Sequence, residues 1–371
     1  MDSETLRAWL ALQIAPGIGP ATLRKLISRF GGARAAVEAS AAALEAAGLA
    51  HASVEAINHP DINEIARLER WLEADSHHLL TPEHPNWPNR LDAIDAAPTV
   101  LFATGDTDLL TMPSLAIVGS RNPTADGKDN ARAFARYLAS NGMCIVSGLA
   151  SGIDAAAHEG ALDADGATIG VLGTGPDIAY PRLNAPLQER VCDHGIVISE
   201  YRPGTTAQSG HFPARNRIIS GLSLGTLVVE ATPRSGSLIT ARLAGEQGRS
   251  VFAIPGSIHN PMARGCHQLI RQGALLVEQA SDIFLELGQE LGERPAPERE
   301  LETESVAPDP DYLRVLDAMD WAPVSLDSLV TRTGLTAAEL SSMLLIMELE
   351  GTIEQVPGTG FLRRGRGRKT P

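Results

Sequence analysis

The sequence predicts an α/β chain: a Rossmann-like, doubly wound, mostly parallel sheet between a helical N-terminal domain and a C-terminal winged-helix domain. Three observations predict it. The apolar runs LAIVG, CIVSG, TIGVLG, IVISE, TLVVEA, SVFAIPG and ALLVE alternate with longer helical stretches from Ser114 onward. An Ala-rich, helix-favouring segment precedes them. Three helical patterns and a hairpin pattern follow them. Apolar strands alternating with helices indicate a parallel sheet covered on both faces.

Residues 1–75 form the helical N-terminal unit, of SAM-like or helix-hairpin-helix type. Leu6, Leu10, Leu23, Leu26 and Phe30 recur at helical spacing, and Pro16-Gly17-Ile18-Gly19-Pro20 breaks them as a tight turn. Such a turn either points backbone N–H groups at a phosphate or simply connects two helices. Residues 76–288 form the sheet domain. Its first part is punctuated by Pro, and only VLFATG there reads as a strand. Residues 289–310 are acidic and Pro-rich and read as a flexible linker. Residues 311–371 form the last unit. LRVLDAM, LDSLVTRTG and TAAELSSMLLIMELEG are helical, TIEQVPGTGFLRR reads as a hairpin, and a basic tail runs from Arg363 to Lys369.

Composition narrows the function. Cys144, Cys192 and Cys266 are odd in number and far apart, so neither a disulfide framework nor a metal site is expected. No stretch reaches the length of apolar sequence that a membrane helix needs, and the acidic N-terminus does not resemble a signal peptide. A cytoplasmic location follows as the expectation. The net charge of −14 argues at first against a nucleic-acid partner. Binding is decided by a local patch, however, and the linker holds part of that negative charge apart.

In an open α/β sheet, ligands bind beyond the carboxyl ends of the strands. Small and functional residues stand at four such points. Gly119-Ser120-Arg121 follows LAIV, Ser147-Gly148 leads through Leu149 to Gly152, Thr174-Gly175 follows TIGVLG, and Arg234-Ser235-Gly236-Ser237 follows TLVVEA. One such junction often reflects turn sterics alone. Four on one edge, two with arginine, point to a phosphate-rich ligand. The dinucleotide fingerprint and the P-loop are both missing, which argues against NAD and ATP. No cofactor is expected.

The densest feature is Gly210-His211-Phe212-Pro213-Ala214-Arg215-Asn216-Arg217. Arginine fits phosphate bidentately, and Asn bonds a base edge or a backbone. Phe212 either stacks on an unpaired base or belongs to the core. Arg215 and Arg217 are read as ligand contacts. Asp154 and His158, four residues apart, are either an oriented pair or a plain capping and surface pair.

Taken in order, LAIVGSRNPT, VSGLASGIDAAAH, HFPARNRIISGLS, EATPRSGSLITARLA and VFAIPGSIHNPMARGCHQLIRQGA resemble the successive signatures of the DprA/Smf family. The resemblance covers residues 80 to 288, and the flanking helical and winged-helix units also suit it. It implies a protein that is not an enzyme, binds single-stranded DNA during natural transformation, works as a homodimer, and loads RecA recombinase onto DNA covered by single-strand-binding protein. The DNA-binding set then comprises Gly119, Ser120, Arg121, Ser147, Gly148, Gly152, Phe212, Arg215, Asn216, Arg217, Arg234, Ser235, Gly236 and Ser237, with Arg121 matching a DNA-binding arginine of the family. Ser209 stands where relatives often carry a basic residue and Thr232 where some carry Lys, with Arg234 as the candidate substitute at the second position.

Two other classes compete. Nucleotide-processing Rossmann enzymes carry PGGxGTxxE, whereas this chain reads Ser223-Leu224-Gly225-Thr226 with Glu230 one residue late. A winged-helix transcription factor explains the C-terminal unit but none of the sheet-edge junctions. The stretch Thr336 to Glu350, the expected recognition helix, has no Lys or Arg. Entering a groove would bring its glutamates close to phosphates, so this unit is expected to contact protein.

Overall fold

A computed structural model of the chain describes residues 1–291, 310–319, 323–349, 351–356 and 359–363. The N-terminal unit is six helices: α1 (Ser3–Ile14), α2 (Pro20–Phe30), α3 (Ala33–Val37), α4 (Ala41–Ala46), α5 (His51–Asn58) and α6 (Ile62–Trp71). The Asp2 carboxylate accepts the Thr5 N–H and starts α1. Pro20 opens α2, and Gly31 closes it at φ 82°, a left-handed cap that favours glycine.

Their core, with Trp9, Leu10, Leu12, Leu26, Leu44, Ile57 and Leu68, continues onto Leu79, Val100 and Phe102 of the sheet domain. The two units therefore share apolar surface at one sheet edge. That edge contains a strand the sequence pattern did not announce, β1 (His77–Leu80), antiparallel to β2 (Leu101–Gly105). His77-His78-Leu79-Leu80 lacks the β-branched residues that mark strands. Burial makes it one: Leu79 joins the helical core, while Leu80 joins the core across the sheet.

The remaining strands alternate with helices as expected. They run β3 (Ser114–Val118), α7 (Ala125–Ser140), β4 (Cys144–Ser147), α8 (Ile153–Leu162), β5 (Thr168–Val171), α9 (Ala185–His194) and β6 (Ile196–Ser199). Then come α10 (His211–Leu222), β7 (Gly225–Val228), α11 (Ser237–Glu246), β8 (Ser250–Ala253), α12 (Arg264–Arg271), β9 (Leu275–Leu276) and α13 (Ala280–Leu291). The sheet order is β1-β2-β6-β5-β4-β3-β7-β8-β9. Pairing is parallel from β6 to β9 and antiparallel at β1 and β2.

Leu115 and Ile117 of β3 pack with α7, α8 and α13, whereas Ala116 and Val118 pack with α10, α11 and α12. Both faces are thus covered, which explains the nearly continuous apolar strands. From β3 the chain winds outward to β6, and α10 then carries it back to place β7 on the other side of β3. The strand order reverses there, and the crevice beyond the ends of β3 and β7 is the switch point where such sheets bind ligands.

The last unit contains α14 (Pro310–Ala318), α15 (Leu326–Thr333), α16 (Ala337–Leu349) and the antiparallel pair β10 (Ile353–Val356) and β11 (Gly360–Arg363). Val315, Leu329, Leu340, Leu344, Met347 and Ile353 form its separate core. Arg363 belongs to the hairpin, donating to the Leu316 carbonyl, rather than to the tail. Most of the acidic linker, the Pro357-Gly358 turn and the basic tail lie outside the described residues. Among the described residues no helix is long and apolar enough to cross a membrane.

Candidate nucleic-acid interface

Three segments meet where β3 ends. A Cβ on Gly119 would sit 2.6 Å from the Ile153 side chain and 3.0 Å from the Glu230 carbonyl, so only glycine lets β3, α8 and β7 approach this closely. The Ser120 N–H donates to the Glu230 carbonyl at 2.7 Å, and the Ile153 N–H donates to the Ser120 carbonyl at 3.1 Å. Gly152 takes φ 85° with its Cα against the carbonyls of Ser120 and Arg121. This clamps the Arg121 backbone while its side chain stays exposed.

The Arg121 guanidinium lies 5.9 Å from the centroid of the Phe212 ring. Phe212, in the first turn of α10, is half-buried rather than part of the core. Its other neighbour is Tyr180, at 5.1 Å between ring centroids and a tilt of 35°. Tyr180 is 45% exposed. A cation over one ring with a second ring beside it offers charge to a phosphate and an aromatic face to an unpaired base. Sequence reading missed Tyr180. It sits in the irregular passage DIAYPRLN, where no periodicity draws attention to a side chain, although the chain has only four tyrosines.

The two arginines of the RNR run need correction as ligand contacts. Arg215 is buried, and donates to the carbonyls of Val171 at 2.7 Å and Gly148 at 2.9 Å. Its guanidinium fills the space that a Gly148 side chain would take. It ties the ends of β4 and β5 together beneath the surface. Burial pulls its pKa down to about 10, against the attraction of Asp154. Asp154 accepts the Gly148 N–H at 3.2 Å, and burial raises its pKa, with Arg215 opposing. Arg217 donates to the carbonyls of Ala96 and Ala214, both at 2.9 Å, and to Glu200 at 2.7 Å. Its ion pair is only 13% and 12% exposed at the two side chains, and three of its five N–H donors bond within the chain. Asn216 between them is half-buried.

Other expected site residues divide in the same way. Ser147 is buried, and its hydroxyl donates to the Ile117 carbonyl. Ser237 is buried, with its hydroxyl 2.7 Å from that of Ser235. Arg234 and Gly236 are exposed, but Arg234 and Ser235 line a cleft with α11, α12 and β9, separate from the one lined by Arg121 and Gly152. The four junctions share one sheet edge without forming one site.

Asp154 and His158 do not form a pair. Both are buried, and the His158 Nδ1 lies 2.8 Å from the Thr168 hydroxyl. Burial lowers the His158 pKa to about 3. Glu230, the acid of the competing enzyme reading, accepts the Thr124 N–H at 2.8 Å and the Thr124 hydroxyl at 2.7 Å. Its carboxylate is engaged in holding the start of α7.

The family model described as DNA recombination-mediator protein A matches residues 78–288. Those described as DprA-like N-terminal HHH domain and DprA winged helix domain match residues 3–64 and 293–359. Protein Smf of Synechocystis sp. is 36% identical over 96% of this chain and 98% of its own length. The X-ray structure of DNA processing protein A from Streptococcus pneumoniae is similar at 37% identity and TM-score 0.69, over 76% of this chain and 97% of that one. A structure of DNA processing protein A from Helicobacter pylori, described for its single-stranded DNA binding mode, gives 33% identity and TM-score 0.52 over 57% of this chain and 97% of that one.

Proposed function

This chain belongs to the DNA recombination-mediator protein A family, and from that premise we propose that it binds single-stranded DNA at the carboxyl edge of its sheet and delivers the strand to RecA recombinase during natural transformation. One observation carries the binding reading: the exposed Arg121 guanidinium over Phe212, with Tyr180 beside it. Phosphate attraction gives affinity, and stacking selects unpaired bases with little sequence preference. The Helicobacter pylori relative, described for single-stranded DNA binding, supports the same reading.

Fluorescence anisotropy with a poly-dT oligonucleotide tests it, using residues 1–291 at several salt concentrations. Single strands are expected to bind more tightly than duplex, with affinity falling linearly on a log–log salt plot. Equal or tighter binding of duplex overturns the reading.

The protein acts in this proposal as a cytoplasmic homodimer and without catalysis, and single-strand-binding protein is a partner through the DNA it covers. No turnover of NAD, ATP or nucleoside monophosphates is expected. Release of free base from a monophosphate, lost in Glu230→Gln, would restore the enzyme alternative.

The winged-helix unit is proposed as a protein-contact module. On α16, Leu345, Ile346 and Leu349 are 59%, 42% and 75% exposed. Glu339 accepts from the N–H and hydroxyl of Thr336 at the start of the same helix. An apolar and acidic face suits a protein better than a phosphate backbone. Duplex binding by residues 310–371 should largely vanish in residues 310–363, which lack the basic tail. Equal binding by the shorter piece would place α16 in the groove instead.

A further inference from the structure

Beside the Arg121 contact lies a cleft of about 690 Å³ that the sequence reading did not single out as a whole. Its walls are the starts of α7 and α8 and the first half of α9. Arg121, Lys128 and Arg190 all line it. All three are exposed, and none has an ion pair among the described residues. The acid at its rim, Glu159, lies 3.8 Å from Arg132, which does not line the cleft. Three cations around one concavity, in a chain of net charge −14, set up a local positive potential that an anion relieves.

The walls are held in place. The Asn184 amide donates to the Leu149 carbonyl at 2.9 Å, fastening the start of α9 to the β4–α8 loop. The Gln188 amide donates to the Pro176 carbonyl at 2.9 Å, fastening α9 to the loop that leads to Tyr180. The aromatic platform and the cationic cleft meet at Arg121, which borders both.

We infer that this cleft is a second phosphate-binding segment for the same DNA strand, reached from the Arg121–Phe212 contact, with Lys128 and Arg190 holding backbone phosphates. The inference rests on the single-strand reading above. It extends the binding track from the platform over α7 and α9, and it predicts that affinity grows with strand length until the cleft is filled.

The test uses the full chain, the double variant Lys128→Ala/Arg190→Ala, and the conservative Lys128→Arg/Arg190→Lys. Binding of dT4 and dT12 is followed by anisotropy across a salt series, with thermal midpoints as a folding control. The alanine pair should bind dT12 about tenfold more weakly at low salt, with a salt slope smaller by about 1.4, which is about 0.7 for each single-strand phosphate no longer neutralised. Its dT4 binding should change little, and the conservative pair should keep the full slope. Unchanged dT12 affinity and slope in the alanine pair, with wild type binding dT12, overturns this inference alone. Failure of wild type to bind dT12 overturns the single-strand reading as well. Competition by dTMP that depends on Lys128 and Arg190 would make the cleft a mononucleotide pocket and also overturn the inference.

Discussion

Arg121→Ala combined with Phe212→Ala is expected to remove practically all single-strand binding while leaving the fold intact. A hydrogen bond to a charged group contributes about 1.5–3 kcal/mol, and stacking of one base on an aromatic ring about 1–3 kcal/mol. Together these amount to roughly two to four decades of affinity. The two side chains touch, so their effects need not add, and the single variants must be measured too. They differ in kind. Arg121→Ala should lower the salt slope by about 0.7 to 1, because one phosphate contact is lost. Phe212→Ala should weaken binding with the slope unchanged, because stacking releases no counterions. Because the Arg121 side chain is exposed, its truncation to alanine should leave the fold intact. A lower melting temperature with an unchanged slope in Arg121→Ala would mean that this arginine is structural.

The second large effect is on stability. Arg215→Met should destabilise the sheet domain by about 2–6 kcal/mol, because it leaves the buried carbonyls of Val171 and Gly148 without their donor. It also removes the nearby positive charge that opposes the effect of burial on Asp154. For a domain of this size that is a fall of very roughly 10 °C in melting temperature.

The loss should depend on pH, and the sign follows from Asp154. Burial already raises its pKa in the folded chain, and Arg215 is the largest influence opposing that. Without Arg215 the folded pKa rises further. A carboxyl raised in the folded state favours folding below its unfolded pKa, and loses that contribution as pH rises through the folded value. The difference between Arg215→Met and wild type should therefore be smaller near pH 4 than near pH 8. Thermal melts at the two pH values check it. A fully stable Arg215→Met with a reduced salt slope would return Arg215 to the DNA contacts.

Much of the architecture was legible because it is written in short-range patterns. The strand runs and the helices between them are set by which neighbours are apolar, and β3 through β9 formed where the alternation placed them. The strand β1 escaped because its four residues have weak strand propensity, and only the helical domain and β2 bury them. At the site, the GSR junction was legible because glycine, serine and arginine at a strand end have a direct physical reading. Tyr180 was not, because the loop carrying it is positioned by Asp177, which accepts the Gly204 N–H at 2.8 Å, and by the Gln188 bond to Pro176.

The sequence by itself determined the class of fold, the three-part organisation and the strand-end junctions, and it picked out Arg121, which the structure leaves exposed. Only the tertiary structure decided which other arginines are left exposed and which bond within the chain. Arg215 and Arg217 stand two residues apart in a run that reads as phosphate-binding, yet each nitrogen but the Arg215 Nε bonds within the chain. Their partners come from far along the chain: Gly148 and Val171 for Arg215, 67 and 44 residues away, and Ala96 for Arg217, 121 residues away. Conversely, Lys128 and Arg190 have no motif around them, and folding brings them to one cleft with Arg121. An arginine's role depends on whether carbonyls and carboxylates lie within hydrogen-bond reach or only water does. Those distances are set by how the helices pack on the sheet, which a local pattern of residues does not contain.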